Sequence, residues 1–371
     1  MRPDFGNFPR GGAVRGIVSQ EYRLERGSTS RRKYLLIKGI SGLGNRISCA
    51  LGGILYARLS GRTLVVDWSD PLYSSGGDNV FHRFFKSPSC SPTDDIPATD
   101  SVYPAIWRDH LHESVRRIAN KHGYNPDDIM RELSLDLSKL DYQEDLLILV
   151  RYGAQIDRLR PNFPGSFQEL AKMSDRAILA KLLREALILQ PEIRERVDEF
   201  KRSRFDARTV GVHVRYSDYR VRIMAIIKQL NALLGRERDL QIFLATDNIE
   251  IKKMFESNYP RVITTPHWYA DPGWSIHNNR QSPDRTELAI EALIDLYLLA
   301  ECNHLIFDAS SSFSRLASLL SLAPADNNID VATRGKGNRR IRHAVTRIMH
   351  GVRFSSWAFR FLPKLVPIRR L

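Results

Sequence analysis

The feature that most constrains this chain is an alternation of short apolar strands with longer helices, run twice. In the first run "KYLLIKGI" reads as a strand, "SGLGNRI" as a glycine-bearing turn, "SCALGGILYARLSG" as a helix ending at Gly61, and "RTLVVDW" as the next strand. Strand, turn, helix and strand in so short a span make a βαβ unit, which requires a parallel sheet with a helix laid across it. The second run begins at Arg208. Strands "TVGVHVR", "DLQIFLAT", "RVITT" and "HLIFD" alternate with helices "RVRIMAIIKQLNALLG", "NIEIKKMFESNY", "RTELAIEALIDLYLLAEC" and "SFSRLASLLS". That pattern predicts a second doubly wound α/β domain, and two such domains in one chain imply a ligand cleft between them. The stretch 70–165 is less periodic, with helices expected near 106–121 and 165–202 and a strand at "DLLILVRY". The expected division is a basic N-terminal extension (1–32), a first domain (33–203), a second domain (204–333) and a basic tail (334–371).

The net charge of +14 suggests nucleic acid until it is located. Residues 1–32 carry +4 and residues 331–371 carry +11 with no acid at all, whereas 33–330 holds 38 basic and 39 acidic residues. A basic groove across the body is therefore not implied, and nucleic acid is not an expected partner. The three cysteines, Cys49, Cys90 and Cys302, are far apart and form no C-x-x-C pair, which argues against structural zinc or a disulfide framework and fits a reducing compartment. No apolar run is long enough to span a membrane, and the N-terminus lacks the apolar core of a signal peptide, so a cytoplasmic protein is expected.

In an open parallel sheet, ligands bind beyond the carboxyl ends of the strands. Three strand ends in the second run carry polar groups. In "VHVRYSD", His213 and Arg215 project from one face of the strand. Arg215 is either paired with a neighbouring acid or offered to an anion, and a guanidinium forms forked bonds with phosphate oxygens. In "IFLATDN", Thr246, Asp247 or Asn248 can cap the next helix. In "LIFDASSSFSRLA", a strand runs into Ser310, Ser311 and Ser312 at a helix start. One serine suffices for a cap, and three point to a phosphate cradle of N–H groups and hydroxyls. Asp295 interrupts the apolar run "ALIDLYLLA" and shares a helix face with Glu291, Leu298 and Leu299. A carboxylate there needs either an arginine partner or a ligand with N–H donors such as guanine. There is no G-x-x-x-x-G-K-[ST], which excludes a P-loop hydrolase, and no Asp-x-Asp metal clamp.

"GVHVRYSDY", "IFLATDN" and "LIDLYLLAECNHLIFDASSSFSR" resemble, in order and spacing, three motifs of the α1,6-, α1,2- and protein O-fucosyltransferases, most closely the NodZ-like bacterial members. "GLGNRISCALGGILYARLSGRTLVVDW" also resembles that superfamily's first βαβ unit. The resemblance implies a GT-B architecture, two Rossmann-like domains facing a cleft, with the acceptor side first and the GDP-fucose side second. It implies an inverting, metal-independent transfer of a sugar, L-fucose from GDP-fucose, to a glycan, polysaccharide or lipid-linked oligosaccharide in α1,6 or α1,2 linkage, with no cofactor beyond the donor. By position, His213 and Asp295 would contact guanosine, and Arg215 would hold the β-phosphate beside Ser310, Ser311 and Ser312. Asn45 and Arg46 would approach the donor from across the cleft. Tyr216 stands where α1,6 enzymes often carry a second arginine, while His213, Arg215 and Asp218 meet the H-x-R-x-x-D pattern of α1,2 and polysaccharide enzymes. Asp218 is the candidate base for deprotonating the acceptor, the alternative being a loop carboxylate paired with Arg220 or Arg222.

The tail "RGKGNRRIRHAVTRIMHGVRFSSWAFRFLPKLVPIRRL" mixes Arg and Lys with Ile, Val, Met, Trp and Phe. It reads either as a basic amphipathic helix at an anionic membrane surface or as a segment packed on the first domain. The competing function is a catalytically silent nucleotide- or glycan-binding protein tethered by this tail.

Overall fold

The computed structural model describes residues 32–217, 220–269, 282 and 284–334. Asp218, most of the N-terminal extension and the tail beyond Arg334 lie outside the described residues, and so do the expectations placed on them.

β1 (Tyr34–Lys38), β2 (Thr63–Asp67), β3 (Val102–Tyr103) and β4 (Leu146–Leu149) form a parallel sheet in the order β2-β1-β4-β3. Helix α1 (Leu43–Ser60) crosses from β1 to β2 and stops at Gly61, whose φ of 66° lets its N–H reach back to the Ala57 carbonyl. The region expected to be one helix at 165–202 is divided. Ser174 caps α2 (Asp175–Ala186), then Ile188–Leu189 pairs antiparallel with Phe85–Lys86, and Pro191 opens α3 (Pro191–Arg204). A proline has no N–H to lose in a first helical turn, so the interruption costs the helix little. The helix expected over 106–121 is shorter, Val115–His122, because Ser114 caps it and the chain before it makes a single 3₁₀ turn.

The second sheet contains β5 (Thr209–Val214), β6 (Gln241–Thr246), β7 (Val262–Ile263), β8 (His304–Phe307) and β9 (Asn328–Asp330), all parallel, in the order β9-β8-β5-β6-β7. The connecting helices are α4 (Ile223–Arg236), α5 (Ile249–Asn258), α6 (Arg285–Ala300) and α7 (Ser312–Leu320). The chain runs outward from β5 to β7 and then returns to β8 on the other side, so β5 is the switch point of the sheet. The strand expected from "RVITT" is only two residues long, because Thr264 and Thr265 turn away from the sheet edge.

Val210, Val212 and Val214 pack with α4 residues in one apolar layer, while Gly211 on the opposite face receives α6. A Cβ at Gly211 would stand 3.0 Å from Cys302 Sγ and 3.2 Å from Leu299 Cδ2, so the glycine allows close helix–sheet approach. The largest apolar cluster runs from Leu35 and Ile37 through α1 and α2 to α6 and α7, so both sheets share it. Polar bonds follow the same seam: Arg176 Nη2 donates to the Ser318 carbonyl (2.6 Å), and Arg194 and Lys201 of α3 both reach Glu301 (2.6 and 2.9 Å). Among the described residues no helix is long and apolar enough to cross a membrane.

Candidate functional site

A pocket opens beyond the carboxyl ends of β5 and β6. Its floor is His213, Arg215, Ala245, Thr246 and Asp247, one wall is Glu291, Asp295 and His267, and the other is Gly42, Leu43, Gly44 and Tyr73 from the first half with Phe313 of α7. It therefore lies at the switch point and between the two sheets.

The β5 residues set its chemistry. His213 is buried, with Nδ1 2.5 Å from Ser314 Oγ and its ring 5.0 Å from that of Phe313. Burial, reinforced by the charge of Arg215, pushes its pKa down to about 4 despite Asp295 and Asp308, so near pH 7 it is a neutral ring with one donor and one acceptor nitrogen. Arg215 follows the last β5 residue, half-buried, on the pocket lining. The loop after it is fixed from β6: Asp247 accepts from the Tyr216 N–H (2.7 Å) and the Ser217 hydroxyl. Asn248, not Asp247, caps α5 by accepting from the Glu250 and Ile251 N–H groups.

Asp295 is held by two side chains that its own stretch of sequence does not announce. Thr265 Oγ1 donates to Oδ1 (2.6 Å) and His267 Nε2 lies 2.9 Å from Oδ2. His267 Nδ1 in turn faces Glu291 Oε2 at 3.4 Å. Burial opposes charge on His267, but the Asp295 and Glu291 carboxylates outweigh it and raise the pKa to about 10. Sequence reasoning missed Thr265, His267 and Tyr73. The signal that could have found His267 is the need of Asp295 for a counter-charge.

The three serines divide their work. Ser310 is exposed, and its N–H and hydroxyl both donate to Asp308 Oδ1 (3.0 and 2.5 Å). Ser311 is the buried cap of α7, accepting from the Ser314 N–H, as one serine suffices to do. Ser312 meets the first half at Gly44. Asp308 also receives a two-pronged Arg222 guanidinium at 2.8 and 2.9 Å. A Cβ on Gly44 would stand 2.7 Å from the Phe313 nitrogen and 2.8 Å from the Ser312 carbonyl carbon, both backbone atoms. Gly44→Ala is therefore expected to cost about 1–3 kcal/mol and to displace the α7 N-terminus from the pocket. The checks are the unfolding midpoint and the KM for donor, and an unchanged pair would refute the close approach.

Arg46 is fully buried behind the pocket wall. It holds Asp70 through two nitrogens (2.9 and 2.6 Å) and the Ser41 carbonyl through Nε (2.9 Å), under the Tyr73 ring at 4.9 Å. Asn45 Nδ2 donates to Ser41 Oγ (3.0 Å). Both thus brace the glycine turn and the loop carrying Tyr73, and neither is among the pocket-lining residues. From the other side, Thr286 Oγ1 donates to the Tyr73 carbonyl (2.9 Å). Of the expected site residues, His213, Arg215 and Asp295 are brought together at the pocket, while Asn45, Arg46 and the three serines are not in its lining. Among the described residues no cluster of three His, Cys, Asp or Glu side chains is placed to hold a metal ion.

Two parallel α/β sheets with a pocket between them, at the switch point of the second, define a GT-B fold. Residues 172–338 match the family Nodulation protein Z (NodZ). Nodulation protein Z of Azorhizobium caulinodans is 24% identical over 308 residues, covering 76% of this chain and 87% of that protein. A NodZ α1,6-fucosyltransferase crystal structure, soaked with GDP-fucose, superposes with a TM-score of 0.55 at 22% identity over 78% of this chain and 93% of the other. A variant of Arabidopsis thaliana FUT1 in complex with GDP gives 0.50 at 17% identity over 80% and 70%.

Proposed function

We propose that the protein is a GDP-sugar glycosyltransferase that moves L-fucose from GDP-fucose to a glycan hydroxyl. The observation that carries the reading is the meeting of Arg215 and His213 from one sequence motif with Asp295 from another, at one pocket beyond the β5 end. A nucleoside diphosphate in this pocket would extend from Asp295, at the base end, to Arg215, whose guanidinium neutralises the charge that develops on the diphosphate as the sugar departs. The acceptor hydroxyl then attacks the opposite face of the sugar and gives its proton to a carboxylate base, for which Asp218 is the candidate, so that the bond to the diphosphate breaks and the anomeric centre inverts. Arg215 supplies the counter-charge, so transfer is expected at an undiminished rate in EDTA. The NodZ relative and the GDP-fucose and GDP complexes of the similar structures support the donor.

The acceptor side is the first sheet, and an oligosaccharide is the acceptor class we assign to it. The basic segment 334–371 suits an anionic membrane surface carrying lipid-linked acceptors, and the unpaired cysteines suit the cytoplasm. The direct test is nucleotide release from GDP-fucose, GDP-mannose, UDP-glucose and ADP-glucose against a panel of glycan acceptors. GDP-fucose turnover that needs an acceptor supports the proposal, and tight GDP binding without transfer to any acceptor would favour the silent binding protein.

A further inference from the structure

The bridge at the wall of the pocket has a chemistry that the donor reading alone does not use. Glu291 and Asp295 stand one turn apart on α6 and face the same way, and two carboxylates so placed repel. His267 enters between them from the segment after β7, its side chain only 9% exposed, with Nε2 2.9 Å from Asp295 and Nδ1 3.4 Å from Glu291. A neutral imidazole has one N–H and can serve one carboxylate; only the imidazolium donates to both. Thr265 holds the other Asp295 oxygen at 2.6 Å. Both oxygens of Asp295 are thus held, and a carboxylate oxygen that accepts one bond keeps capacity for another. Among the described residues, the other charged or titratable groups around His267 include His213 and Arg215 at the end of β5, Asp247 at the end of β6, and Tyr269 with Lys252 beside its ring.

Resting on the GDP-sugar reading, we propose that His267 is the positioning residue for base selection: its imidazolium, shared by Asp295 and Glu291, keeps Asp295 ionised and aimed, so that the pocket selects a purine with two adjacent N–H donors. Guanine presents such a pair, a ring N–H next to an amine. Hypoxanthine keeps only the ring N–H, and adenine turns a lone pair toward the carboxylate. The raised pKa of His267 agrees with the geometry. Without the imidazolium, the two carboxylates share a proton, and a protonated Asp295 meets the guanine donors with a donor of its own.

The experiment is calorimetric binding of GDP, IDP and ADP between pH 6 and 8 to the full chain, to His267→Gln and to His267→Gln/Glu291→Gln. The intact protein should prefer GDP over IDP by about tenfold, and over ADP by more, with a flat pH profile. His267→Gln should bind GDP more weakly, losing up to about tenfold per pH unit as pH falls. The double variant should recover the flat profile, because no second carboxylate then faces Asp295. A flat profile in His267→Gln, or equal losses for GDP and ADP at every pH, overturns the proposal. If His267→Gln does not fold, Thr265→Val gives the second reading: it frees the other Asp295 oxygen and should shrink the GDP-to-ADP ratio several-fold, and an unchanged ratio overturns the proposal. No GDP preference in the intact protein would instead overturn the donor assignment beneath it.

Discussion

Arg215→Ala is expected to lower kcat for donor turnover about a thousandfold while changing the donor KM less than tenfold. The side chain stands at the β5 end on the pocket lining, beside the neutral His213 ring. A neutral imidazole cannot replace the missing charge, so the diphosphate would leave with its developing charge uncompensated. Ground-state binding suffers less, because the base contact proposed at Asp295 persists. Arg215→Lys keeps the charge but loses the fork, and should fall between the two. Single-turnover kinetics with GDP-fucose separate the cases. A variant that loses donor binding and keeps kcat would make Arg215 a simple anchor.

Asp308→Asn is expected to destabilise the fold by about 3 kcal/mol, the low end for breaking a buried ion pair, because Arg222 is partly open to water. Asp308 itself is almost wholly buried at the end of β8 and accepts from the Arg222 guanidinium, the Arg222 N–H and both donors of Ser310. Burial alone would raise its pKa, but the bonds from Arg222 and Ser310 hold it well below the usual carboxylate range. A depressed folded pKa supplies stability that is whole above the unfolded value near 3.9 and lost as pH falls toward the folded one. The intact protein should therefore lose this contribution below about pH 4, and Asp308→Asn should lack that part of the acid dependence. Urea unfolding at pH 7 and pH 3 checks both. Equal stability of the two proteins at pH 7 would show that Arg222 gains as much from water as from the carboxylate.

The parts of the site legible in the sequence are those that a regular element aims. Alternation along "TVGVHVR" puts His213 and Arg215 on the face opposite the valines, and helical spacing puts Asp295 beside Glu291. Contacts made by irregular chain were not legible. His267 follows a two-residue strand and Pro266 and has no periodicity to announce it, though its Nε2 lies 2.9 Å from Asp295 Oδ2. Arg46 sits at the start of α1, just after a glycine turn that suggests ligand contact, but its partner Asp70 lies 24 residues away beyond β2, and nothing local reveals the pairing. The run of three serines suggested one shared task, yet Ser310 faces Asp308 and Ser311 faces the helix backbone. Pro191 marks the break in the 165–202 region, but the segments on either side of it, "DRAILAKLLREA" and "EIRERVDEFKRSR", both suit a helix, so the two read as one.

The apolar cluster shared by the two sheets bears on how the chain is made. α1 ends at Ser60, but the α7 side chains that pack with it begin at Ser312, so roughly 250 residues must be synthesised before that layer closes. At cellular elongation rates this is roughly 10–50 s during which the first sheet emerges with one helix layer unfinished. The nascent first half is thus a natural chaperone client. A stalled or truncated product would present its α1 and α2 faces to other chains, and the arrival of α7 closes the protein against aggregation as well as completing its pocket.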